Sequence, residues 1–196
     1  MKKALFLFIF LLILLTGCSN LQNKTVTGAA AKEQTATSAV KISFSYQKQD
    51  GFASNQVAVW IEDMQGKYVN TVYATQWTAK GGYEKRPNSL MLYVERSGLA
   101  QMDEKQVDAF AGATPTTGKL SYTWDLKNAK GEKVADGRYN IFLEGTLRDQ
   151  KCVVYVAEVN VGGAAAKVHP TPEYSGEESE ERGMLKDVFV EYIPLK

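Results

Sequence analysis

The sequence predicts a mainly β protein: an antiparallel β-sandwich of immunoglobulin or fibronectin type with a short helical insert. Three observations carry that prediction. Short apolar stretches alternate with period two, Val, Tyr, Phe and Trp concentrate in them, and Gly, Asn and Asp turn signals separate them. No alternation of strand and helix patterns points to a parallel sheet.

The elements follow in order. Val40, Ile42, Phe44 and Tyr46 alternate with Lys41, Ser43 and Ser45, the period of a half-buried strand. After the turn chemistry of Asp50-Gly51, residues 56–62 (QVAVWIE) form a second strand, apolar on both faces and hence central. Residues 68–75 (YVNTVYAT) return as a third across a Gly66 turn, making a hairpin. Residues 76–87 read as an irregular loop holding Trp77, Gly81, Gly82 and Tyr83. A helical insert is expected over about 88–110. Asn88 or Ser89 would cap residues 90–96, Gly98 would end that helix, and Asp103 would cap a second turn through Val107.

Strand character resumes where Leu120, Tyr122 and Trp124 alternate with Ser121, Thr123 and Asp125. A long turn over 127–137 follows. Residues 138–147 and 152–161 form a second hairpin around Arg148-Asp149-Gln150, and Val188, Val190 and Tyr192 mark a last strand. Residues 162–183, with two prolines and the acidic run 177–181, read as a solvated loop. The count is about seven strands, typical of a sandwich.

The N-terminus supplies an address. Lys2 and Lys3 precede an unbroken apolar run over residues 4–15, the pattern of a secretion signal and too short for a permanent span. It ends in Leu15-Thr16-Gly17-Cys18, which resembles a bacterial lipobox. Residues 1–17 are expected to be the signal peptide and Cys18 the lipidated residue. Residues 18–38, nearly devoid of apolar anchors, would be the tether, leaving 39–196 as one domain. The resulting expectation is an extracytoplasmic protein held to a membrane by its lipid.

Charge and residue counts exclude several chemistries. The formal net charge is +1, with two signal-peptide lysines included, so no basic surface for nucleic acid is indicated. Besides Cys18 the chain has only Cys152, expected as a buried strand cysteine. The single histidine, His169, has no second histidine to complete an ordinary zinc site and no nucleophile motif beside it. Glu62 and Glu144 lie inside strands. Paired carboxylates cut glycosidic bonds, and Trp60 and Trp77 would suit a sugar ring. The plainer expectation is that both glutamates lie at strand ends or on the wet face of the sheet and pair with Arg138 or Arg148.

The densest gathering of small and polar residues is Asp108-Ala-Phe-Ala-Gly-Ala-Thr-Pro-Thr-Thr-Gly118, between the insert and the next strand. As a turn it needs nothing more than Gly112 in a conformation closed to bulkier residues and Pro115 fixing φ.

The stretches VAVWIEDMQGKYVNTVYA and DAFAGATPTTGKLSYTWDLKNAKGEKVADGRYNIFLEG, with Arg148-Asp149, resemble the bacterial extracytoplasmic domain-of-unknown-function family 2271. The likeness spans roughly residues 40–161. The Trp-Asp…Asp-Gly-Arg-Tyr portion is also locally similar to the immunoglobulin-like domain of the flagellar hook-capping protein. The family resemblance implies a secreted sandwich domain near flavin-dependent extracytoplasmic redox proteins. Asp108, Gly112, Ala113 and Thr114 are similar in type and spacing to the motif at which flavin transferases link FMN to a threonine. Two departures stand: Ala111 replaces the usual hydroxyl residue, and Pro115 leads into a strand where the known carrier continues into a helix.

Three functions are therefore expected to compete. The first is a non-catalytic accessory module of the envelope, linked to a flavin redox protein or a flavin transferase. The second is a covalent FMN carrier with Thr114 as acceptor, and the third is a glycan or cell-wall binder.

Overall fold

The alternating stretches pair into two sheets. In the computed structural model, which describes residues 37–49, 55–146, 151–175 and 183–195, the strands are β1 (Ala39–Tyr46), β2 (Gln56–Asp63), β3 (Tyr68–Thr75), β4 (Ala111–Gly112), β5 (Gly118–Trp124), β6 (Gly137–Thr146), β7 (Cys152–Val161), β8 (Ala166–Val168), β9 (Pro172–Ser175) and β10 (Leu185–Ile193). One sheet has the order β5-β1-β10-β8 and the other β4-β3-β2-β6-β7-β9. Their pairings are antiparallel except for a short parallel contact between β3 and β4. Cys18, the expected signal peptide, nearly all of the tether, the acidic run 177–181 and Arg148-Asp149 lie outside the described residues.

Period two explains how the layers form. Val40, Ile42, Phe44 and Tyr46 of β1 meet Val57, Val59 and Ile61 of β2 and Ile141 and Leu143 of β6 in the core between the sheets. The intervening residues of the larger sheet do not face water. Ala58, Trp60, Ala74, Phe142 and Val154 pack under Ala79, Leu90, Tyr93, Leu99 and Val107 of the insert. A second apolar layer on the outer face of the sheet is thus the reason β2 is apolar on both sides. Burying each such large side chain stabilises the fold by roughly 1.5–3 kcal/mol.

The insert begins earlier than expected. A kinked helical turn, Thr78–Gly82, and α1 (Tyr83–Lys85) occupy the stretch read as loop, ahead of α2 (Met91–Ser97) and α3 (Glu104–Asp108). Gly98 takes a left-handed conformation and ends α2, and Asp103 caps α3 with a full capping box through Gln106. The start of α2 corrects the reading of the sequence. Neither Asn88 nor Ser89 caps it; Leu90 precedes it with φ 50° and offers no side-chain bond. A carboxylate from the sheet, Glu144, accepts the Tyr93 N–H instead at 2.8 Å.

Residues 162–183 were also expected to be loop throughout, and they contain the edge strands β8 and β9. Both are short and mostly exposed, so they carry no buried alternation to read. Cys152 is half-buried at the start of β7, its Sγ 2.9 Å from Ser175 Oγ on β9, rather than in the core.

Candidate functional site

The groove that gathers the singled-out residues is built from the end of β3 outward. Thr75, the last residue of β3, is buried; its Oγ1 accepts the Val57 N–H at 2.8 Å and donates to the Val57 carbonyl at 3.0 Å. The chain then turns at once into the kinked helical segment. Thr78 fixes that segment to the sheet: its N–H and hydroxyl both reach Gln56 Oε1, and its Oγ lies 2.8 Å from Ser89 Oγ. Gly81 at φ +90° lets the backbone double back, so that Gly82 comes to rest against Trp77. A Cβ on Gly82 would stand 2.3 Å from the Trp77 carbonyl oxygen and 2.5 Å from its ring atom Cδ2. Only glycine fits there.

The second wall is the 108–118 stretch. Beyond α3, β4 pairs in parallel with β3, Ala111 opposite Ala74 and Gly112 opposite Thr75. The Ala74 N–H donates to the Phe110 carbonyl at 3.2 Å, and the Tyr73 hydroxyl donates to the Ala113 carbonyl at 2.7 Å. Gly112 is not among the residues with positive φ, which corrects the expectation that its backbone conformation demands glycine. The demand is steric: an added Cβ would lie 2.5 Å from Cε2 of Tyr73. Thr114 follows, exposed, and the chain runs through Pro115 into β5.

Gln76, Trp77, Lys80, Lys85, Ala113 and Thr114 line an open groove of about 680 Å³, together with Gly81, Gly82 and Glu84. That volume lies in the range of small-molecule and cofactor sites. Asp108 closes one end of the arrangement by an ion pair with Lys80 at 2.6 Å. This contact, and the Coulombic attraction that accompanies it, raise the Lys80 pKa and keep the amine protonated. Both partners are substantially exposed, so the pair orients the two walls more than it stabilises them.

Of the four residues of the attachment-like motif, Ala113 and Thr114 line the groove, while Asp108 reaches it through Lys80 and Gly112 supports it from β4. Sequence reading missed Trp77 and Lys80 as neighbours of Thr114. The signal was Gln76-Trp77 directly after a strand end, with a Gly-Gly pair to fold the chain back.

The two strand glutamates correct a second expectation. Neither faces water, and Arg138 pairs with Glu158 instead of either of them. Glu62 and Glu144 are each 1% exposed, because their face of the sheet lies under the insert. Glu62 accepts from Trp60 Nε1 at 2.8 Å and from Arg96 Nη1 at 3.0 Å. Trp60 is fully buried and stacked on Phe142, so it has no face to offer a sugar. Trp77, 41% exposed, does.

Burial raises the Glu144 carboxyl from the ordinary 4.5 to about 7, against the lowering effect of the Tyr93 and Leu92 N–H groups. Its Oε1 has no hydrogen-bond partner among the described residues. Between those two pH values the folded chain holds a proton that the unfolded chain has released. Stability therefore falls as pH rises through this window and stays lowered above it. Glu144→Gln keeps an acceptor for the Tyr93 N–H and removes the titration. Urea unfolding should show the wild type losing on the order of 1–3 kcal/mol relative to this variant between pH 4.5 and 8. An identical pH slope in both proteins would contradict this role for Glu144.

Among the described residues, no group of three or more His, Cys, Asp and Glu side chains is arranged to hold a metal ion. His169 follows β8, its ring 5.8 Å from that of Phe189.

The family of predicted periplasmic proteins designated DUF2271 matches residues 37–176. The chain belongs to this family. The DUF2271 match takes in both walls of the groove, the insert and every strand from β1 to β9. No curated protein and no solved structure matches the chain.

Proposed function

We propose that this DUF2271 protein is an accessory component of extracytoplasmic flavin electron transfer, and that it acts as a carrier of covalently attached FMN with Thr114 as acceptor. One observation carries the reading: Thr114 is exposed and lines a groove to which Trp77, Lys80 and Lys85 also contribute. A transferase needs an accessible hydroxyl with small neighbours, and Gly112 and Ala113 provide them. The residues present also suit the group chemically. Trp77 offers a flat aromatic face, Lys80 and Lys85 offer cationic hydrogen-bond donors for a phosphate, and Thr114 offers the ester oxygen. Bound flavin would supply one- and two-electron redox chemistry that the side chains of this domain do not themselves provide.

The attachment is a phosphoryl-type transfer from FAD. Thr114 Oγ1 forms a bond to the phosphorus of the FMN half, the pyrophosphate bridge to AMP breaks, and the hydroxyl proton passes to a base on the transferase. AMP leaves, and no electron changes hands in this step. The chain contributes an oxygen and its position, while the partner enzyme contributes the base and its metal. Cys18, as the lipid-bearing residue, and the tether over 18–38 would hold the domain at the membrane surface, within reach of an envelope redox partner.

The test uses the purified domain, a flavin transferase, FAD and Mg²⁺. Release of one AMP per chain is expected with the wild type and none with Thr114→Ala. Equal release from both proteins, or none from a folded wild type, would overturn the reading.

A further inference from the structure

The Trp77 indole sits in a constrained position for a surface side chain. It is 41% exposed, yet it is no free rotor, because its ring atoms Cδ2 and Cε3 lie where a Cβ on Gly82 would come within 2.5 and 2.6 Å. Gly82 itself is buried, and Gly81 at φ +90° sets the turn that brings it there. One side of the ring is thus seated on backbone, while Trp77 also lines the groove.

The strand register explains why Trp77 and Thr114 share the groove. Thr75 and Gly112 are partners in the parallel β3–β4 contact, Trp77 lies two residues beyond the first, and Thr114 lies two residues beyond the second. In a parallel pair both chains leave the last rung in the same direction. The β3 side then turns into the helical segment while the β4 side runs on as an irregular segment toward β5, and Trp77 and Thr114 line the same groove. The Tyr73–Ala113 bond and the Lys80–Asp108 ion pair hold the two departing segments together.

We infer that Trp77 is a stacking platform for a planar, electron-poor heteroaromatic ring, and specifically for the isoalloxazine of a flavin carried on Thr114. The inference rests on the attachment reading for its tether, but the platform itself is a property of Trp77 and Gly82. Electron-rich indole stacks on an electron-poor ring in offset, face-to-face geometry, a contact that adds to the area buried. Lys80 and Lys85 lie along the groove to receive the phosphate end; Glu84 is the one carboxylate among the described lining residues, and Asp108 is paired to Lys80 beside it. Trp77 is a positioning residue in this scheme: it orients the ring and leaves the ester bond to Thr114.

Indole quenches the fluorescence of a flavin stacked on it, which gives the test its readout. Domain co-expressed with a flavin transferase is first weighed intact, which decides attachment separately. In attached wild type the flavin should be strongly quenched. Among chains whose intact mass shows attached flavin, Trp77→Ala should emit several-fold more brightly per flavin than wild type, and Trp77→Phe should lie between. Equal emission from wild type and Trp77→Ala, both loaded and folded, would overturn the platform.

Free riboflavin titrated into unmodified domain gives a second arm that needs no attachment. The affinity read from that quenching should weaken by about two- to tenfold in Trp77→Ala, the loss expected for one aromatic contact. Should the intact mass show no flavin on the wild type, the attachment reading fails. The riboflavin arm then decides the platform alone: Trp77-dependent quenching upholds it, and its absence overturns it.

Discussion

Trp60→Ala is expected to cost the domain about 3–5 kcal/mol of stability, the range for removing a fully buried large aromatic side chain. Trp60 has no exposed surface and occupies the seam between the larger sheet and the insert. Its ring stacks on Phe142 at 4.7 Å between centroids and meets Tyr93 of α2 at 5.5 Å, while its Nε1 donates to Glu62. Truncation opens a cavity under α2 and removes a donor from a buried carboxylate, leaving Arg96 as the partner named above. Those two losses act on the same element, so they should be felt beyond global stability. Hydrogen exchange ought to rise in residues 78–108 more than in the inter-sheet core around Ile42 and Val59. A loss below about 1 kcal/mol, or exchange rising uniformly, would contradict the view that Trp60 fastens the insert. Trp60→Phe, which keeps an aromatic ring but not the donor, should recover part of the stability.

Gly112→Val should strike the candidate site hardest after loss of the acceptor itself. The nearest atom to an added Cβ is Cε2 of Tyr73 at 2.5 Å, and Tyr73 also holds the Ala113 carbonyl through its hydroxyl. Valine therefore cannot enter without moving the ring, the bond it makes and the Thr114 backbone beyond it. Overpacking of this kind costs typically about 1–3 kcal/mol, so the protein should remain folded with a lowered melting temperature. The rate of flavin attachment should fall at least about tenfold, because misplacing a reacting group by about 1 Å can cost more than that. Attachment kinetics by mass spectrometry, with circular dichroism to confirm folding, give both values. Unchanged kinetics in a folded Gly112→Val domain would show that the β3–β4 contact does not position the hydroxyl.

The inter-sheet core was legible in the sequence because alternation reports burial directly. Val40 to Tyr46 and Val188 to Tyr192 each expose every second residue to a different environment. The doubly buried β2 was legible from QVAVWIE for the same reason. What covers its outer face was not, and that is why Glu62 and Glu144 were expected in water. A glutamate flanked by strand residues looks the same whether its face meets solvent or an insert distant in sequence. The helix cap that Glu144 supplies to α2 is equally invisible locally, since 51 residues separate acceptor and donor. The edge strands β8 and β9 escaped because exposed strands of three and four residues leave no pattern of burial.

The candidate site divides along the same line. Asp108, Gly112, Ala113 and Thr114 stood out by composition, and Thr114 is exposed as an acceptor would need to be. The reason for Gly112 could not be read, because the ring it must clear belongs to β3. Nor could the neighbourhood of Trp77 and Lys80, which depends on a parallel contact only two residues long. Local sequence named the hydroxyl; the long-range register supplied what stands opposite.

The most direct test of the flavin-carrier reading is the intact mass of the mature domain after co-expression with a flavin transferase, followed by peptide mapping. The expected result is a gain of one FMN less one water, mapped to the peptide containing Thr114 and abolished by Thr114→Ala. An unmodified mass on a folded wild-type domain, or a flavin mapped to another residue, would contradict it.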